Sequence, residues 1–412
     1  MSLTSFPKYT YIAEGDGNVN LYGTALDAFG RIRMSEPFTL FDSQNRYAKD
    51  AQFDESLTGS GTATFVANEG VVDMDVTTAS GDKVIRQSKR RFPYQPGKSL
   101  FVMATFVMGA AQTDLRQRVG YFDTDNGVFL QLDDAELSFV LRSYVTGSVS
   151  DSRKVAKSSW NVDKFDGTGP SKLTLDITKA QIVFFDFEWL GVGSVRCGFV
   201  INGKLHIAHV FHNSNSISTT YMTTAILPIR YEIEAKAAIS SAAKLKQICS
   251  TVVSEGGYQQ KTALSWARMT TDTALSTSFE PLVSIRLNAS RLGAVVIPAR
   301  FTLIPQTSPA DYEFALIKNT TLTGASFTTG TFSNVDFDVA ATALSGGTIV
   351  DQGYLSSSNQ SGGAFEQTEV YNFDLQLGVT IGGTSDVYTL AARGLSGTPD
   401  IIGALAFWDL TD

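Results

Sequence analysis

Two Asn-Gly steps, each set between apolar runs, constrain this chain more than any other feature. Asn126-Gly127 separates Arg118-Val-Gly-Tyr-Phe-Asp123 from Val128-Phe-Leu-Gln-Leu132. Asn202-Gly203 separates Ser194-Val-Arg-Cys-Gly-Phe-Val-Ile201 from Lys204-Leu-His-Ile-Ala-His-Val-Phe211. Both residue types tolerate positive φ, so a short turn at each step folds its flanks back as antiparallel strands. Strand patterns recur over 62–67, 70–76, 99–108, 137–144, 181–190 and 245–253. Within 181–190 the period of two places Val183, Phe185, Phe187 and Trp189 on one face and Asp186 and Glu188 on the other. The continuous apolar run over 99–108 predicts a strand buried on both faces. The Ala-rich stretch 234–245 reads as a loop feeding the strand that follows. Many short strands with little helical periodicity spell an all-β fold, an antiparallel β-sandwich or jelly roll.

At 412 residues the chain is too long for one ordinary sandwich. The strand texture restarts after Glu255-Gly-Gly-Tyr258, with strands expected over 282–287, 294–304, 312–318, 335–339, 371–379 and 386–392. The organisation read from this is a first sandwich over 51–261 and a second, smaller β-sandwich over 262–412. Residues 1–50 read as an extended N-terminal arm. Its anchors for docking on a neighbour are Phe29, Phe38 and Phe41, with Arg31 and Arg33 between them. No fixed-period repeat is visible.

Composition narrows the function classes. Charged residues make up only 18%, which predicts that neighbouring copies cover much of the surface. A net charge of −8 lacks the basic footprint of a nucleic-acid binder. No apolar run approaches the roughly 20 residues that cross a bilayer. The first residues lack a signal-peptide pattern, so synthesis in a cytosol is expected. Cys197 and Cys249, in strand-like runs, are expected to be buried free thiols. No nucleophile elbow or Walker loop appears, and no cofactor is expected.

The three histidines fall together at His206, His209 and His212. On a strand only His206 and His212 share a face, which makes them weak metal candidates beside the plainer reading of ordinary strand histidines. Asp123, Asp125 and Asn126 imitate the start of a calcium loop, but no closing Glu follows and a hairpin turn accounts for them. Asp133, Asp134 and Glu136 are the acids a glycosidase reading would use. The basic run Lys83–Arg91 suits an acidic neighbouring subunit or a charge-protected strand edge. Trp160, with Asn161 and Asp163 in a polar loop, is the best candidate for stacking on a sugar. Trp189 is expected in the core.

Five segments carry a family resemblance: Asp27-Ala-Phe-Gly-Arg-Ile-Arg33, Arg91-Phe-Pro-Tyr-Gln-Pro-Gly-Lys-Ser99, Arg118-Val-Gly-Tyr-Phe-Asp123, Trp189-Leu-Gly-Val-Gly-Ser-Val-Arg196 and Ile248-Cys-Ser-Thr-Val-Val-Ser-Glu-Gly-Gly-Tyr258. In this order they resemble virion structural proteins of tailed bacteriophages, especially marine and cyanobacterial ones, over residues 20–260. The central region is also similar in texture to concanavalin-like lectin and laminin-G sandwiches. The resemblance implies a non-enzymatic virion component (tail, baseplate, neck or fibre) that packs with copies of itself and other virion proteins into a symmetric oligomer. The alternative is a carbohydrate-binding adhesin that recognises a host surface glycan. A polysaccharide-degrading tail enzyme and a capsid decoration protein stand behind these two.

Overall fold

The computed structural model describes residues 36–259, 264–330, 333–357, 365–367 and 373–411. Those residues form two antiparallel β-sandwiches in sequence, the second smaller than the first. The strands of the first are β1 (Phe38–Gln44), β2 (Phe53–Thr58), β3 (Thr62–Val66), β4 (Val71–Val76), β5 (Lys83–Ser88), β6 (Leu100–Val107), β7 (Leu115–Phe122), β8 (Gly127–Asp133), β9 (Glu136–Ser143), β10 (Ser150–Ala156), β11 (Gln181–Phe187), β12 (Val195–Ile201), β13 (Lys204–Phe211), β14 (Ile229–Ala235) and β15 (Ala243–Ser254). One sheet runs β13-β12-β11-β6-β15-β4-β3, with β1 also paired to β15. The other runs β10-β9-β8-β7-β14-β5-β2.

Both Asn-Gly hairpins form. Asn202 and Gly203 take φ of 51° and 74° between β12 and β13, and Asp123 N–H donates to the Asn126 carbonyl (2.9 Å) between β7 and β8. Between the sheets Val102, Ala104, Phe106, Val183, Phe185 and Phe199 meet Val119, Tyr121, Leu130, Phe139, Leu141 and Ile233, all fully buried. Burying each such side chain contributes about 1.5–3 kcal/mol.

Several expectations are corrected here. β6 is buried on one face, not two: positions 100, 102, 104 and 106 are buried while their neighbours are half-exposed, Phe101 lying against Phe184 with ring centroids 5.6 Å apart. Residues 38–44 are no arm to a neighbour, because β1 extends the chain's own sheet along the second half of β15. Phe41 there is buried against Phe53 and Phe92, so the first domain begins before residue 51. Phe29, Arg31 and Arg33 lie outside the described residues. Cys249 is exposed, because it sits opposite Gln44 at the outer side of β15, whereas Cys197 is buried.

The basic run is consumed inside the chain. Lys83 pairs with Glu232 and Glu234, Arg91 with Asp123, and Arg90 with Asp374. Arg86, opposite Tyr231 on the core face, bonds Glu55 and Gln247. Glu232 on β14, 2% exposed, faces the outer side of the second sheet. It accepts from Arg230 at 2.6 and 3.0 Å and lies 3.5 Å from Arg118 and 3.3 Å from Lys83. Those guanidiniums lie across Phe129 and Phe122, 5.2 Å and 5.4 Å from the ring centroids, so the ion network is shielded from water.

In the second sandwich a six-stranded sheet has the order 328–329, 335–338, 280–287, 387–394, 310–318, 348–357. It packs on a five-stranded sheet of 264–268, 400–409, 296–305 and 365–367, with 273–274 also pairing to 400–409. Phe301 and Phe314 meet across them at 5.1 Å. On the outer side of the five-stranded sheet Trp266 is 43% exposed, with the Arg300 guanidinium 4.7 Å from its ring centroid; Leu264, two residues before it, and Ile304, further along the sheet, are exposed too. Of the strand expected over 371–379, the described part, 373–379, does not form one. Phe373–Leu375 is a 3₁₀ turn, and the segment divides its hydrogen bonds between its own domain, as from Leu377 N–H to the Val296 carbonyl, and the first domain. Phe373 carbonyl accepts from Arg90, Gln376 donates to the Arg91 carbonyl, and Val379 N–H donates to the Lys89 carbonyl.

Candidate functional site

A cleft of about 880 Å³ opens where the two sandwiches meet. One wall is the loop Pro93-Tyr-Gln-Pro96, another is Trp189 with Thr223–Ile226, and the last is Tyr258, Gln259, Leu410 and Thr411. Ligand sites favour domain junctions and combine apolar faces with a few fixed polar groups.

Each wall is held from below. Phe92 is buried in the core, and the buried Tyr121 hydroxyl donates to the Ala225 carbonyl (2.9 Å) while accepting the Leu227 N–H (3.1 Å). Arg91 donates to Asp123 (2.7 Å) and to the Ile226 carbonyl (3.3 Å), which ties the 93–96 loop to the 223–226 loop. Tyr94 stacks on Phe187, and its hydroxyl accepts the Trp189 N–H at 3.0 Å. The rings of Tyr94 and Trp189 meet edge-on at 5.9 Å. Trp189 therefore leaves the core stripe of β11 after Phe187 and stands half-buried at the cleft, not in the core as the alternation predicts. Its indole N–H is buried without a hydrogen-bond partner among the described residues. Leu190 follows at φ +37°, a conformation that costs a non-glycine residue about 1–2 kcal/mol. Such strain is commonly kept where a neighbouring side chain must be aimed.

Tyr258 sits in an aromatic cluster with Phe38 (5.7 Å) and Phe373 (4.9 Å), so β1, the interdomain stretch and the second domain fix one ring. Burial pushes its hydroxyl pKa up to about 12, so it remains a hydrogen-bond donor. The Gln95 amide clasps the Gln259 backbone, donating to its carbonyl and accepting its N–H at 2.9 Å.

Behind Tyr94 lies a second depression of about 500 Å³, lined by Tyr94, Lys98, Asp186, Glu188, Ser194 and Arg196 among others. Asp186 stands on the outer face of β11 between Phe101 and Arg196 in register. Burial pushes its pKa up to about 6. Glu255 and Glu188 add to that, and Arg196, 2.5 Å from Oδ2, opposes it. A third depression, of about 680 Å³, is lined by Pro37, Gly97, Lys98, Ser99, Glu255 and Gly256.

The residues expected to bind sugar lie elsewhere, and the structure corrects them. Trp160 is 2% exposed, its ring packed on Phe139 at 4.8 Å and its indole N–H bonded to the Val155 carbonyl. No face of it is open for stacking. Asn161 pairs with the Val210 backbone at both ends of its amide, and Asp163 accepts from the backbone of Phe165 and Ser171. Asn161 staples the loop to β13, and Asp163 holds the loop's own turn.

The histidines are rearranged by a bulge in β13. The register runs His206↔Phe199 and Ile207↔Gly198, then His209↔Cys197. His206 and His209 thus share the side of Phe199 and Cys197, and His212, beyond the strand, is exposed. The expected pairing of His206 with His212 on one face is overturned. Among the described residues no group of three or more His, Cys, Asp or Glu side chains is placed to hold a metal ion. Asp123 holds the hairpin turn by accepting the Asp125 and Asn126 N–H groups. Asp133 and Asp134 are held by Lys236 at the next hairpin.

Sequence reasoning missed the cleft because its residues come from five separate stretches. Three of the segments that carry the family resemblance, 91–99, 189–196 and 248–258, meet around it and the two depressions beside it. The available signal was an aromatic residue set among Pro or Gly in a loop at Tyr94, Trp189 and Tyr258.

The chain matches no protein-family model and no curated protein. Solved structures overlap about half of it. The carbohydrate recognition domain of Emp47p is 11% identical with a TM-score of 0.32, covering 55% of this chain and 98% of that one. The CBM2 module of the evolved Dit of Lactobacillus casei BL23 phage J-1 is 8% identical with a TM-score of 0.36, covering 55% of this chain and all of that one. Cellulose-induced protein Cip1 is 11% identical with a TM-score of 0.32, covering 54% of this chain and all of its own.

Proposed function

We propose that this chain is a glycan-binding, non-catalytic component of a tailed-phage particle. The observation that carries the binding half is the junction cleft, where Tyr94, Trp189 and Tyr258 stand beside the Gln95 amide, held by the Gln259 backbone, and the Tyr94 hydroxyl, held by the Trp189 backbone N–H. Sugar rings present C–H faces to aromatic rings and hydroxyls to amides, and this cleft offers both. The particle half rests on the five segments that resemble phage virion proteins. The test is calorimetric titration with purified host-envelope polysaccharide, together with an assay for released reducing ends. Binding without release is expected, and Trp189→Ala is expected to weaken it at least tenfold, or ~1.4 kcal/mol. No binding to any host glycan, with normal adsorption of particles carrying Trp189→Ala, refutes the proposal.

A second reading, assembly through self-association, is favoured by the outer face around Trp266, Leu264 and Ile304. Exposed apolar patches of this kind mark interaction surfaces. The expected result is an oligomer by light scattering that Trp266→Glu dissociates. A wild-type monomer at all concentrations overturns this reading.

A further inference from the structure

Resting on the glycan reading above, we propose that the site is a track of three subsites around the 93–99 loop, built for a linear, uncharged oligosaccharide of at least three residues. The junction cleft and the depression behind it share Tyr94 and Lys98 as their common wall. That depression and the third share Gly97, Lys98 and Ser99. Each alone falls within the roughly 300–1,000 Å³ of a small-ligand site, and the run of three exceeds it. A ligand that fills it must therefore be extended and must bend around one loop. The loop itself is braced: Lys98 N–H donates to the Gln95 carbonyl (3.1 Å), the Lys98 ammonium to the Gln95 side chain (2.9 Å), and Ser99 to Glu255.

Two features of the middle subsite point to hydroxyl groups. Asp186 is 8% exposed, and its Oδ1 has no hydrogen-bond partner among the described residues. A buried carboxylate oxygen without a donor is a cost that a ligand hydroxyl removes. Oδ1 is covered in the free protein, so a ligand hydroxyl reaches it only if a neighbouring group such as Arg196, half-exposed and paired to Oδ2, turns aside on binding. Asp186 and Glu188 face Lys98 and Arg196, and Glu255 in the third subsite leaves the track with one more carboxylate than cations. A sugar carrying a carboxylate or phosphate would add to that excess, and a neutral one does not. The subsites divide the work, with stacking on Trp189 and Tyr258 in the first and hydroxyl recognition by Asp186 and Arg196 in the second.

The experiment is a calorimetric length series, using neutral fragments of one to six residues size-fractionated from host-envelope polysaccharide, on the full chain. Affinity is expected to rise about tenfold or more from two residues to four and then level off. Asp186→Asn and Ser194→Trp, the latter filling the middle subsite sterically, are expected to erase that rise, so that four residues bind no more tightly than two. Trp189→Ala is expected to lose both. If affinity is flat with length, or both middle-subsite variants match wild type while Trp189→Ala still abolishes binding, the track is refuted and the single cleft stands. If no fragment of any length binds wild type, both readings fall.

Discussion

Replacing Glu232 by Gln tests the ion network on the outer face of the first domain. Burial alone would raise the pKa of this carboxylate. Arg230, Lys83 and Arg118 outweigh it and hold the pKa at about 2, against an ordinary 4.5. A depressed carboxylate pKa stabilises the folded state above the unfolded value, and the gain is lost as pH falls toward the folded one. The difference is worth about 3 kcal/mol at ~1.36 kcal/mol per unit. Linkage gives a loss of about 1.4 kcal/mol by about pH 3.5 and about 3 kcal/mol by about pH 2. At neutral pH, Glu232→Gln leaves two guanidiniums and an ammonium without their buried counter-charge, and is expected to cost about 3–5 kcal/mol. The assay is urea unfolding followed by tryptophan emission, for both proteins between about pH 7 and pH 3.5. The variant should be less stable at neutral pH and should lose less of what remains on acidification, the curves converging by about 1.4 kcal/mol. Parallel curves for the two proteins would refute the assignment of Glu232 as the acid-sensitive group.

Three further outcomes are expected. Trp160→Ala should destabilise the first domain by about 3–5 kcal/mol, read by thermal melting, while the protein that remains folded keeps its glycan affinity. One thiol of the native protein should react with a disulfide reagent before unfolding, because Cys249 is exposed, though partial burial raises its pKa, while Cys197 is buried with its pKa pushed well up by desolvation, and both should react after unfolding. Arg90→Ala removes the bonds to the Phe373 carbonyl and Asp374, and should split one calorimetric unfolding transition into two as the domains uncouple; a single unsplit transition would count against that coupling role.

What could be read from the sequence was local. The Asn-Gly turns were legible because tolerance of positive φ is a property of those residues alone, and Asn202, Gly203 and Gly127 adopt it. The core stripe Val183, Phe185 and Phe187 was legible because one strand's alternation decides it. Trp160 was misjudged because a lone aromatic in a polar loop has no period, and its burial depends on Phe139 and Phe199 arriving from other strands. The histidine faces were misjudged because a bulge in β13 changes parity, and nothing in Ile207-Ala208 announces one. The segment 371–379 alternates like a strand, yet its partners include Lys89, Arg90 and Arg91, nearly three hundred residues earlier. A cleft assembled from five stretches leaves no trace in any one of them.

The ring of Tyr258 touches residues from both sides of the sequence, Phe38 before it and Phe373 after it, and Leu410 and Thr411 finish the wall beside it. This has a consequence in time. At a synthesis rate of about 5–20 residues per second, the last wall emerges from the ribosome about eight to thirty seconds after Tyr258 does. During that interval the first sandwich has all its strands but only part of a cleft. Competence to bind is thus expected to appear only once Leu410 and Thr411 are made, and a chain arrested near residue 300 should fold its first domain yet fail to retain glycan.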